Sequence, residues 1–111
     1  MNVSTEERGG AKVVRLEGAL DVAAALELRD LLATVLEPGA KVLLDLAAVS
    51  LIDSSGVGIL VTGHRLADAR GAAIVLAAPP GPVGRVFELT RTNRLLHIFP
   101  TVEEGLAALA A

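Results

Sequence analysis

The sequence contains no cysteine, no tryptophan and no tyrosine. The lack of cysteine excludes disulfide bonds, thiolate metal sites and a cysteine nucleophile. Phenylalanine occurs only as Phe87 and Phe99, too few for the base-stacking platforms of single-strand nucleic-acid binders. The ten lysine and arginine residues are scattered, and the formal net charge is -3. We therefore expect no direct nucleic-acid ligand, because no basic stretch could follow a phosphate backbone.

Long uninterrupted apolar runs are also missing. The longest apolar region, residues 42–52, contains Asp45 and is shorter than the roughly 20 residues of a membrane-spanning helix. The opening MNVSTEERGG lacks the basic start and apolar centre of a secretory signal. We expect no membrane segment and a cytoplasmic location.

Apolar residues make up 52% of the 111 residues, and charged residues 21%. This mixture argues against disorder, and a chain of this length can bury a sizeable core without metals or disulfides. The composition predicts one compact domain over residues 1–111.

The apolar spacing alternates between the periods of strands and helices. It predicts strands at residues 11–18, 41–52, 72–78 and 96–99, and helices at 22–36, 54–69 and 83–90, with a last helix that starts at the TVEE segment, 101–104. A weaker strand within residues 2–7 would form a hairpin with 11–18, and PPGP at 79–82 is predicted as a turn. Alternating strands and helices indicate an α/β layer with a mostly parallel sheet.

The segment LIDSSGVG, residues 51–58, follows a strand that is apolar enough to be buried on both faces. It opens a helix, whose first N–H groups need acceptors from side chains. Asp53 and Ser54 are both suitable N-caps, and the sequence does not distinguish them. Asp21 has the same role available before the helix at 22–36.

Three glycines lie in the helix that follows, namely Gly56, Gly58 and Gly63. Each disfavours a helix by about 1 kcal/mol relative to alanine. Their number predicts close packing, either of the helix on the sheet or of something outside on the helix. A serine hydroxyl on the first turn would then be open to an approaching protein.

Phosphorylation of such a serine would add about -1.5 to -2 charges. The helix N-terminus attracts this charge and Asp53 repels it, each by about 1 kcal/mol, so the fold should survive. An interface over the same spot would not survive, because it would bury an unpaired dianion.

An alternative interpretation of the same segment is a hydrolase that uses Ser54 or Ser55 with Asp53 and His64. His64 lies ten residues after Ser54 in the same predicted helix, about 15 Å away by the helical rise, and no G-x-S-x-G elbow is present. Spacing does not exclude His97, which lies beside the predicted final strand, but a lone histidine there is more often structural. We expect that the chain is not an enzyme.

Metal or nucleotide binding would need ligand patterns that are only partly present. Asp21, Asp45 and Asp53 could gather at one edge of a parallel sheet, but no histidine or cysteine cluster accompanies them. No phosphate-binding glycine motif occurs either. We expect neither a metal nor a cofactor.

The segment LIDSSGVGILV, residues 51–61, is preceded by VLLDL at 42–46 and LEGALDVAAA at 16–25. Together with HIFPTVEEGLAAL at 97–109, this pattern resembles the STAS domain family, and more closely the bacterial anti-sigma factor antagonists. The resemblance implies an α/β STAS-like single domain, with a mixed sheet of four to five strands and helices packed mainly on one side.

The resemblance also implies a function. An unphosphorylated antagonist binds an anti-sigma factor that is also a serine kinase, and thereby releases the sigma factor; phosphorylation ends the binding until a serine phosphatase reverses it. The motif positions imply phosphorylation at Ser54 and partner binding by Asp21, Asp53, Ser54, Ser55 and Gly56.

One position departs from the family pattern, because Ala19 stands where many members carry an acidic residue. One charge of the expected surface is therefore missing. The alternative function is a STAS docking subunit of a lipid-transport ATPase or of a stress-sensing assembly. Such a protein would use the same helix without phosphorylation.

Overall fold

The computed structural model describes residues 1–111 and has an α/β fold of five strands and four α-helices. The strands are β1 Asn2–Arg8, β2 Ala11–Leu20, β3 Lys41–Ile52, β4 Ala73–Ala77 and β5 Ile98–Phe99. The helices are α1 Val22–Val35, α2 Ser54–Arg70, α3 Gly81–Thr90 and α4 Val102–Ala110, with a 3-10 turn at Thr92–Arg94. None of these helices combines the length and apolarity needed to cross a bilayer.

The strands form one mixed sheet in the order β1-β2-β3-β4-β5. β1 and β2 are an antiparallel hairpin, whose turn consists of Gly9 and Gly10 with φ of 58° and 82°. The remaining neighbours are parallel, and helices connect them. The predicted N-terminal hairpin and mostly parallel sheet are confirmed.

The core lies on both faces of β3, as its continuous apolar run predicts. On one face Val42, Leu44 and Leu46 pack in a cluster with buried residues of α1, α2 and α3. On the other face Leu43 packs with Leu109 of α4. Three helices therefore cover one face and a single short helix covers the other, which confirms a sheet with helices mainly on one side.

The end predicted for β2 at Gly18 is wrong, since the strand continues to Leu20. Gly18 has φ of 105°, and the register with β3 shifts between Gly18 and Ala19. The extra residue of this bulge is Ser50 of β3, opposite Gly18 and Ala19, and strand pairing continues beyond it. The two added residues bring Leu20 opposite Ile52.

Two later boundaries also differ from the sequence prediction. α3 begins at Gly81 instead of 83, because Pro82 lies in the first turn, where a helix loses nothing from the missing N–H. The last strand is only Ile98–Phe99. Leu96 is 4% exposed and joins the core from a bend rather than from a strand.

Candidate functional site

Two helices begin side by side where β2 and β3 end. Leu20 and Ile52 are partners in the parallel register, and the N–H of Asp53 donates to the Leu20 carbonyl at 3.3 Å. Asp21 and Asp53 each follow directly and precede α1 and α2. Because parallel neighbouring strands end at the same edge of a sheet, the N-termini of α1 and α2 lie next to each other.

Both aspartates are helix N-caps. Asp21 Oδ1 accepts from the N–H of Ala24 at 3.1 Å. Asp53 Oδ1 accepts from the N–H groups of Ser55 and Gly56 at 2.9 and 3.1 Å. The structure thus selects Asp53 over Ser54 as the cap of α2. The other carboxylate oxygen, Oδ2, takes part in no capping bond in either aspartate.

The two serines differ in position. Ser54 is the first residue of α2 and is exposed, whereas Ser55 is half-buried. The side chain of Asp53 performs the capping, so the hydroxyl of Ser54 has no structural task there. Ser54 is therefore an accessible hydroxyl next to Asp53, at the sheet edge where α1 and α2 both begin.

Gly56 is buried where α2 rests on the sheet. A Cβ added there would lie 2.7 Å from Ile52 Cγ1 and 2.8 Å from Leu20 Cγ, and would also press on the Leu20 carbonyl oxygen. Gly63 likewise gives room to Leu32 of α1, whose Cδ1 would lie 2.8 Å away. Packing inside the molecule therefore explains these two glycines, and Gly56 influences the surface only by setting the position of α2.

The histidines lie apart from the serines. His64 is buried, and its Nε2 lies 3.5 Å from Asp68 Oδ2. Its ring centroid is 5.4 Å from that of His97. Ten residues of continuous α2 separate His64 from Ser54, about 15 Å along the axis, which leaves no catalytic serine–histidine contact within the helix.

Asp45 is separate from the two capping aspartates. It lies within β3, is 3% exposed and has Arg15 as its register partner. Its carboxylate accepts from Arg15 Nε at 3.2 Å and from the N–H of Ala47 at 3.0 Å. The structure does not bring Asp21, Asp45 and Asp53 together, and it contains no group of three or more metal-ligating side chains.

Replacement of Asp53 by alanine tests the capping assignment. We expect a loss of about 1 kcal/mol, and a melting temperature about 4 °C lower, because two N–H groups lose their acceptor. Thermal denaturation followed by circular dichroism measures this shift. Asp53→Asn keeps an acceptor oxygen and should melt near wild type; equal losses in both variants would contradict the assignment.

Comparison with known proteins identifies the family of this chain. The family model for the STAS domain matches residues 2–105. The anti-sigma-B factor antagonist of Bacillus subtilis is 27% identical over 106 residues, which cover 96% of this chain and 97% of that protein. The protein of the same name from Staphylococcus aureus is 26% identical, over 88% of this chain and 92% of its own length.

Solved structures agree on the fold. The crystal structure described as a putative anti-sigma factor antagonist from Thermotoga maritima has a TM-score of 0.89, with 22% identity and coverage of 98% of this chain and 95% of that one. The anti-sigma factor antagonist SpoIIAA in its unphosphorylated form has a TM-score of 0.80 and 26% identity, and covers 98% and 96% of the two chains. Antagonists of this type are non-enzymatic regulatory proteins, in agreement with the expectation from the sequence. Because the family model matches residues 2–105, which include the sheet and the DSSG helix start, the chain belongs to the STAS domain family.

Proposed function

We propose that residues 1–111 act as a single-domain anti-sigma factor antagonist switched by phosphorylation of Ser54. In the unphosphorylated form it binds a kinase-type anti-sigma factor, which then releases its sigma factor. The observation that carries this proposal is the division of tasks at the start of α2: Asp53 caps the helix, and the exposed hydroxyl of Ser54 supports no contact of the fold.

Electrostatics at this edge favour a switch that leaves the fold intact. A phosphate on Ser54 would lie near two positive helix N-termini, which attract it by about 0.3 to 1 kcal/mol each. It would also lie near the carboxylates of Asp21 and Asp53, which repel it. These opposing effects nearly cancel within the domain. A partner seated on the same edge would have to desolvate the dianion. Phosphorylation therefore weakens binding and has little effect on the stability of the domain.

The partner-binding set follows from exposure and position. Asp21 and Asp53 each keep a carboxylate oxygen outside the capping bonds, and Ser54 is the exposed first residue of α2, directly after Asp53. Ser55 is half-buried on the same turn. Gly56 contributes by seating α2 on β2. We propose that these residues take part in the contact with the anti-sigma factor.

The relatives support this function. The matching proteins of B. subtilis and S. aureus are named anti-sigma-B factor antagonists, and SpoIIAA is described in an unphosphorylated form. The proposed cycle needs ATP and a kinase site in the anti-sigma factor, and a serine phosphatase to restore Ser54. This chain itself would contribute only the hydroxyl and the surface, without a cofactor, and would act in the cytoplasm, where sigma factors bind RNA polymerase.

A pull-down from an extract of the native cell, with and without ATP, tests the proposal. We expect a protein with a kinase-type ATP-binding domain to be recovered without ATP and to be released when ATP is added. Mass spectrometry of the released chain should find one phosphate, on Ser54. Recovery of a lipid-transport ATPase instead would favour the docking-subunit alternative, and a phosphate on Ser55 alone would overturn the assignment of the acceptor.

A further inference from the structure

Gly58 is an exposed glycine in the interior of α2 that the fold does not require. A Cβ added at this position would meet no atom within 4 Å. A glycine weakens an exposed helix relative to alanine, so this position makes the free protein less stable with no gain in internal packing. Close approach by something outside the chain would explain the missing side chain.

On α2 the exposed neighbours of Gly58 one turn away are Ser54 and Thr62, and the exposed apolar side chains of this region belong to the start of α1. Gly58 lies one helical turn after Ser54, so both residues project from the same side of α2. In α1 the side chains of Val22 and Leu26, also one turn apart, are 60% and 53% exposed. α1 and α2 start at the same sheet edge and pack on each other, so we group four exposed residues from their first two turns as the outer face: Val22, Leu26, Ser54 and Gly58.

The charge at this edge indicates what kind of protein fits the outer face. Asp21 and Asp53 lie at its margin, and no lysine, arginine or histidine lies within ion-pair distance of either carboxylate. Neither α1 nor α2 has another charged residue in its first turn. A complementary partner therefore presents an apolar centre with a basic margin.

We propose that Gly58 is the point where the backbone of the anti-sigma factor approaches α2 most closely, with apolar partner side chains packing on Val22 and Leu26. The inference rests on the proposed function and adds to it a specificity-determining position outside the DSSG motif. The absence of a side chain lets a partner segment lie against the helix. A methyl group at Gly58 would hold that segment away from Ser54 and from both apolar side chains.

Gly58→Ala gives the direct test, because stability and binding should change in opposite directions. We expect the melting temperature of the free protein to rise by about 4 °C. We also expect the dissociation constant for the anti-sigma factor, measured by calorimetry or surface plasmon resonance, to rise at least about tenfold. Leu26→Ser should weaken binding by a similar factor and leave the melting temperature near wild type, since the side chain is already exposed.

Gly84→Ala is the matched control. Gly84 lies in α3, and a Cβ there would be 3.9 Å from Pro79 Cγ, an ordinary contact. This variant should gain stability in the same way and bind like wild type. If the wild-type chain binds no anti-sigma factor, the proposed function itself fails. If wild type and Gly58→Ala bind equally well, or if Gly58→Ala lowers the melting temperature, the role of Gly58 is wrong and the proposed function stands.

Discussion

Replacing Ser54 with aspartate should weaken binding to the anti-sigma factor at least about 100-fold, equivalent to about 2.7 kcal/mol. The melting temperature should stay within about 3 °C of wild type. The new carboxylate would stand in the first turn of α2, where the helix N-terminus attracts it and Asp21 and Asp53 repel it. The proposed partner has its basic groups around Asp21 and Asp53 and an apolar centre over Ser54, so the new carboxylate would be covered without a counter-charge.

Two control variants separate this effect from a general effect of charge or of side-chain loss. Ser54→Ala should bind like wild type and should accept no phosphate from the kinase. Ser4→Asp adds the same charge on the exposed strand β1, far from the helix starts, and should not alter binding. Tight binding by Ser54→Asp would contradict the switch. A melting temperature about 8 °C or more below wild type would show instead that Ser54 supports the fold.

Gly56→Ala should lower the melting temperature by about 10 °C, which corresponds to about 2 to 3 kcal/mol. The added Cβ would press on the carbonyl oxygen of Leu20 and on the side chains of Leu20 and Ile52. This carbonyl cannot turn away easily, because it accepts from the N–H of Asp53. The first turn of α2 would have to lift from the sheet. Denaturant or thermal unfolding of the free protein measures the loss.

The same substitution two residues later serves as the comparison. Gly58→Ala adds an identical methyl group to the same helix and meets no neighbour, so its effect on the melting temperature should have the opposite sign. Gly63→Ala should fall between them, since the obstructing atom is the end of the flexible Leu32 side chain. Equal shifts in Gly56→Ala and Gly58→Ala would show that helix propensity alone determines both.

Most elements of the fold could be predicted from local patterns. Residues 42–46 are apolar on both faces of a strand, and β3 is buried on both sides. The periodicity of residues 22–35 and 54–70 predicted both long helices to within a residue or two. These elements are predictable because their own sequences set both their secondary structure and the face that they bury.

The boundaries that failed depend on the rest of the molecule. Gly18 looks like a strand end, but its pairing with β3 continues past a bulge in β3, so β2 extends to Leu20. β5 is short because only two residues of β4, Leu76 and Ala77, pair with it. A single chain segment does not contain this information.

The sequence predicted which residues form the candidate site, but not which of them caps α2. The DSSG pattern and the helix start indicated both Asp53 and Ser54 as caps, and only the hydrogen bonds to Asp53 distinguish them. The three glycines of α2 look alike in the sequence. Burial separates Gly56 and Gly63 from Gly58, and burial depends on how α2 lies against β2 and α1.

The pairing of Leu20 with Ile52 has a consequence for motion. Both residues end strands at the centre of the sheet, and the N–H of Asp53 is bonded to the Leu20 carbonyl. The start of α2 is therefore tied to a part of the molecule that opens only when much of the sheet opens. The amide proton of Asp53 should exchange slowly with solvent, and at similar rates with either serine or aspartate at position 54. The proposed phosphorylation of Ser54 would therefore change the charge of this edge and leave its shape unchanged.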